Sequence, residues 1–129
     1  MIYIFGILLF LVLIILFFSY KLSKNKKLDL AKKEEILLRL NNIIKSRNSI
    51  KEKIIDLDKL YHFILKILWY KWSFWEILKQ NPKEIFDINK IWELHKIRNK
   101  LVHDFDLIWE STLLKKQKEY ETEIKRILK

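Results

Sequence analysis

Residues 92–106 read WELHKIRNKLVHDFD. Ile91, Leu94, Leu101 and Phe105 recur at the spacing of one helical face, and at about 100° per residue Arg98 falls in the middle of that stripe. A soluble helix normally places a leucine there. His95, Asn99 and His103 follow one another at four-residue steps beside it. The stretch is therefore a helix with an arginine on its apolar seam and a polar row alongside. A guanidinium on such a seam requires either a carboxylate partner or a functional reason.

The rest of the chain also favours helices. One glycine and one proline, Gly6 and Pro82, leave almost no turn punctuation in 129 residues, which argues against a sheet-rich fold. There is no cysteine, so disulfides and thiolate metal sites are excluded. Half the residues are hydrophobic and 33% are charged, a pairing explained by position, because the apolar excess sits at the N-terminus. The formal charge of +10 points to anionic partners, nucleic acid or anionic lipid, without choosing between them. A solvated lysine-rich surface accounts for it equally well.

Residues 2–20 (IYIFGILLFLVLIILFFSY) carry no charge. At 1.5 Å per residue they match a hydrocarbon core of about 30 Å. No basic stretch precedes them and no small-residue cleavage site follows. Lys21, Lys24, Lys26 and Lys27 come next, and positive flanks face the cytoplasm. These residues predict a single-pass transmembrane anchor over 1–20 in the cell's inner (cytoplasmic) membrane, N-terminus out, with membrane lipid as its partner.

Residues 28–45 have helical period, with Ile36, Leu40, Ile43 and Ile44 on one face. Ser49-Ile50-Lys51-Glu52 has the form of a capping box and predicts a new helix from Ile50. A competing pattern runs through 36, 40, 43, 47, 50, 54, 57, 61, 64 and 68, apolar except at Arg47, and would suit one long helix or a coiled-coil stalk. The poor helix formers around Ser46, Arg47 and Asn48 favour the break. The second helix, about 50–70, should bury Ile54, Leu57, Tyr61, Ile64 and Leu68. Asp58 flanks that seam, most simply as an exposed partner for a lysine, and His62 reads as surface or rim.

Ser73-Phe74-Trp75-Glu76 is a second capping box, opening a short helix that ends before Asn81-Pro82. Trp69, Trp72, Phe74 and Trp75 cluster at this corner, where a core plug is expected ahead of a base-stacking surface. Asp87 is the expected N-cap of the helix 88–103. Asp104 and Asp106 suggest a turn, and a last helix over about 108–128 should turn Trp109, Leu113, Tyr120, Ile124 and Ile127 inward. Asp104 and Asp106 have no further ligand at suitable spacing, so no metal is expected, and the lack of a glycine-rich phosphate loop speaks against P-loop nucleotide hydrolysis.

Arg98 and His103 suit phosphodiester chemistry. A guanidinium grips phosphate through paired N–H groups, and a histidine near its ordinary pKa of about 6.5 moves protons at neutral pH. With RNA the 2′-OH is itself the nucleophile, so no cofactor is required. Asn99 can hydrogen-bond His103 one turn on and fix its tautomer. A single histidine leaves an acid/base pair incomplete, so the second group comes from His95 or from a second copy across a two-fold interface. The alternatives are structural: Arg98 paired to a carboxylate, Asp58 being the best candidate, and His103 capping its helix.

Arg98-Asn99-x-x-x-His103, after His95-Lys96-Ile97 and before an acidic residue, resembles the R-x(4–6)-H motif of HEPN domains (higher eukaryotes and prokaryotes nucleotide-binding). The same segment resembles the HKLRN-x-x-AH-type stretch of small bacterial membrane-anchored proteins. The likeness covers about residues 49–128. It implies a homodimeric helical bundle and, in active members, a metal-independent endoribonuclease of toxin or defence type, with RNA as substrate and an antitoxin as a further partner. By position it makes Arg98 and His103 catalytic and Asn99 orienting, with His95 in second rank. The expected architecture is all-α: a transmembrane anchor (1–20), a basic juxtamembrane linker and helix (21–48), and a HEPN-like up-and-down bundle of four to five helices (49–129). A non-catalytic dimerisation module with a structural Arg98 is the alternative.

Overall fold

The computed structural model describes residues 2–23, 28–103 and 108–129, with the side chains of the first segment described over 6–17. Among the described residues six helices follow in order: α1 (Ile2–Ser23), α2 (Leu30–Lys45), α3 (Ile50–Ile67), α4 (Phe74–Lys79), α5 (Ile88–His103) and α6 (Glu110–Ile127). Among the described residues there is no strand.

Helices α2 to α5 start where side chains satisfy open backbone N–H groups. Asp29 accepts from the Lys32 N–H at 2.7 Å ahead of α2, and Asp87 accepts from the Lys90 N–H at 3.0 Å at the start of α5. Both expected capping boxes are formed. Glu52 reaches back to the Ser49 N–H at 2.8 Å, and Glu76 to the Ser73 N–H at 3.0 Å. The cap at Ser49 divides α2 from α3, with Ser46 and Ser49 both extended. The heptad-like seam is thus shared by two helices, and Arg47 lies exposed in the turn between them.

Helix α3 is the centre of the bundle and packs against α2, α5 and α6, while α5 also meets α6. Its face of Ile54, Leu57, Tyr61, Ile64 and Leu65 is buried against Ile36 and Leu40 of α2, Ile91 and Leu94 of α5, and Tyr120 and Ile124 of α6. This is the apolar core that the helical period anticipates.

Three expectations are corrected. The first is the transmembrane anchor: among the described residues no helix is long and apolar enough to cross a membrane. The single-pass architecture and the inner-membrane location with the N-terminus out go with it. The flanking lysines Lys24, Lys26 and Lys27 lie outside the described residues. Second, the aromatic corner is not a core plug, because only Phe74 of the four is buried and all three tryptophans are exposed. Third, Trp109 is exposed. It precedes α6 as an N-cap without a side-chain hydrogen bond, so the period of that helix does not extend to it.

Candidate functional site

The centre of the candidate site is Asp58 on α3, which is only 3% exposed. It is not a surface partner for a lysine, as its sequence position suggested. Oδ1 accepts a hydrogen bond from the Tyr120 hydroxyl at 2.6 Å and lies 2.9 Å from Nδ1 of His95. A carboxylate only accepts, so Nδ1 is the protonated ring nitrogen of His95. Oδ2 faces Nε of Arg98 at 3.5 Å. That is an ion-pair contact without hydrogen-bond geometry, and the buried Nε has no hydrogen-bond partner among the described residues. The carboxylate expected for Arg98 is therefore Asp58, and one buried acid ties α3 to both α5 and α6.

Arg98 is held rather than engulfed. Its side chain keeps 26% exposure, and Nη1 donates to Oδ1 of Asn99 at 2.9 Å. The neighbouring amide therefore orients the arginine and not, as the four-residue spacing suggested, His103. Of five guanidinium N–H groups, one faces Asp58 and one Asn99. The Nη2 edge has no partner among the described residues.

His95 is buried and turned inward, where Phe74 meets its ring edge-on with centroids 4.6 Å apart. His62 stacks on the same phenylalanine at 5.3 Å and 6°, with Nε2 3.3 Å from the Trp72 carbonyl oxygen. Burial holds the His62 pKa below its ordinary value. His103 is exposed at the last residue of α5. The structure thus separates the sequence-derived set: His95 and Arg98 gather on Asp58, Asn99 braces Arg98, and His103 stands apart at the helix end. Phe105, Asp104 and Asp106 lie outside the described residues.

Tyr120 is the member of this cluster that sequence reasoning placed in the core without assigning it a partner. Its inward position was legible from the period of α6, and a buried tyrosine hydroxyl needs an acceptor. The 62-residue separation from Asp58 hid which one. Burial raises the Tyr120 pKa well above the ordinary tyrosine value, with Asp58 adding to the shift.

A second polar group closes the α5–α6 seam. Lys116, buried on α6, bonds Glu93 of α5 and, at 2.8 Å, Glu119. Burial opposes its charge, but the two carboxylates outweigh this and raise its pKa. Glu123 is also buried and accepts from Arg126 at 2.6 Å, with Oε2 unpartnered among the described residues. Among the described residues no three His, Asp or Glu side chains are grouped to hold a metal ion.

No family model matches the chain, and no curated protein or solved structure is significantly similar to it.

Proposed function

We propose that the chain acts on RNA as a HEPN-like endoribonuclease whose site is completed by a second copy. Arg98 grips the scissile phosphate through its Nη edge. His103 accepts the 2′-OH proton, O2′ attacks phosphorus, and the P–O5′ bond breaks. The histidine of the second copy protonates the departing O5′, leaving a 2′,3′-cyclic phosphate and a free 5′-OH. The observation that carries this reading is the mounting of Arg98, braced from behind by Asp58 and from the side by Asn99 while a quarter of the side chain stays exposed. A guanidinium fixed in this way is oriented for an oxyanion before one arrives. His95 is a positioning residue here, because its Nδ1 is taken by Asp58.

A second reading has its own observation. Arg98 and His95 both pair with the carboxylate that joins three helices, as in an interaction module where Arg98 serves the fold alone. The full chain incubated with single-stranded RNA in EDTA separates the two. The first reading expects cleavage that falls roughly 100-fold or more in His103→Ala and is unchanged in Lys118→Ala, an exposed α6 control. Cleavage by His103→Ala at the parent rate rules it out. An Arg98→Ala variant that melts at lower temperature while parent and variant alike leave RNA intact supports the second.

A further inference from the structure

We infer that the exposed tryptophans at the α3–α4–α5 corner form a stacking platform for single-stranded RNA, separate from the Arg98 cluster. The choice of RNA as ligand rests on the function proposed above. Tryptophan is the side chain that loses most by facing water, yet Trp69, Trp72 and Trp75 are 71%, 57% and 49% exposed within seven residues of chain. Trp69 has φ = 71°, a left-handed conformation that bulky side chains rarely adopt. Trp75 meets Trp92 of α5 edge-on at 6.2 Å, and the two line a groove with Asn89, Glu93 and Lys96. The ammonium of Lys79 lies 3.2 Å from the centroid of the Trp75 ring.

Charge selects the occupant. The acids at this corner are already engaged: Glu76 in the Ser73 capping box, Glu84 accepting from Tyr70, and Glu93 bonded by Lys90 and Lys116. Lys71, Lys83 and Lys96 have no carboxylate partner among the described residues. Exposed indole rings beside lysines that no carboxylate holds match a strand of unpaired bases joined by phosphates. A duplex hides its base faces, and an apolar protein surface offers nothing to the lysines.

The test uses the full chain and a dodecamer of 2′-O-methyluridine, whose blocked 2′-oxygen prevents cleavage, with tryptophan fluorescence as the readout. Binding should quench the emission. Trp75→Ala should weaken binding about 5-fold or more, since each stacked base contributes that much. Lys96→Gln should lower the slope of log K against log salt by about 0.7, the share of one phosphate on a single strand. Trp109→Ala, an exposed tryptophan outside the corner, and Lys118→Gln should change neither. Because Trp75 is half exposed, its variant should keep the parent's melting temperature. Lys96→Glu, also at an exposed position, gives a second measure and should weaken binding further than Lys96→Gln. Parent-like affinity in Trp75→Ala and Lys96→Glu, or equal losses in Trp109→Ala and Lys118→Gln, overturns the platform. Binding by His103→Ala at parent affinity without RNA cleavage by the parent would end the ribonuclease reading and leave the platform standing. Cleavage by the parent with no effect of the corner substitutions on binding would do the reverse.

Discussion

Asp58 is the residue on which most depends. Its carboxylate receives Tyr120 and His95 on one oxygen and faces Arg98 with the other. Asp58→Ala would leave a buried hydroxyl, a buried imidazole and a half-buried guanidinium without their partner, and should cost about 3–5 kcal/mol in urea unfolding. Tyr120→Phe removes a single hydrogen bond to a charged group and should cost about 1.5–3 kcal/mol. A loss below that in Asp58→Ala would mean the cluster is not the fold's polar anchor. The same tyrosine sets the alkaline limit. Because Tyr120 and Tyr61 both have raised folded-state pKa values, through burial first and then Asp58 and Glu123 respectively, they stay protonated where the unfolded chain's tyrosines ionise. Their contribution is complete below about pH 10 and is lost as pH rises beyond it. The urea midpoint should therefore fall above about pH 10, less steeply in Tyr120→Phe. A midpoint that is flat through that range would refute this.

At the scale of the helix, two serines divide the chain. Ser49 and Ser73 each accept the backbone N–H of the glutamate three residues on and donate their own N–H to its carboxylate. Ser49→Ala should destabilise the bundle by about 1 kcal/mol, or roughly 4–8 °C in melting temperature for a domain of this size. An unchanged melting temperature would show that packing alone sets the α2–α3 break. Both boxes, the division of α2 from α3 and the extent of α5 were legible beforehand, because caps and periods are local signals. The fate of the tryptophan corner was not. A cluster of aromatic residues between helices has the same sequence signature whether it plugs a core or faces water. Only the packing of Phe74 against Tyr61, His62 and His95 decides which ring goes inside.

At the scale of the whole molecule, the proposed site requires two copies, because one His103 takes the 2′-OH proton and the other protonates O5′. Allowed to exchange subunits with an equal amount of His103→Ala, the parent chain should show about a quarter of the RNA cleavage of the same total amount of parent, since only dimers of two parent chains carry both histidines. Half the cleavage, the outcome for sites contained in single copies, would exclude a site shared in this way. The sequence by itself determined the helical character of the described residues, the starts of α3, α4 and α5, the apolar faces of α2, α3 and α5 and the requirement that Arg98 find a carboxylate, because each follows from residues within one or two turns of one another. The tertiary structure alone decided that Asp58 is buried, that Tyr120 and His95 share its oxygen, and that Asn99 braces Arg98 while His103 stands apart. Those contacts join α3 to helices some 37 and 62 residues away, and no periodicity encodes which side chains meet when helices pack. The seam arginine at the centre of residues 92–106 is thereby accounted for: it is on that face because Asp58 is behind it.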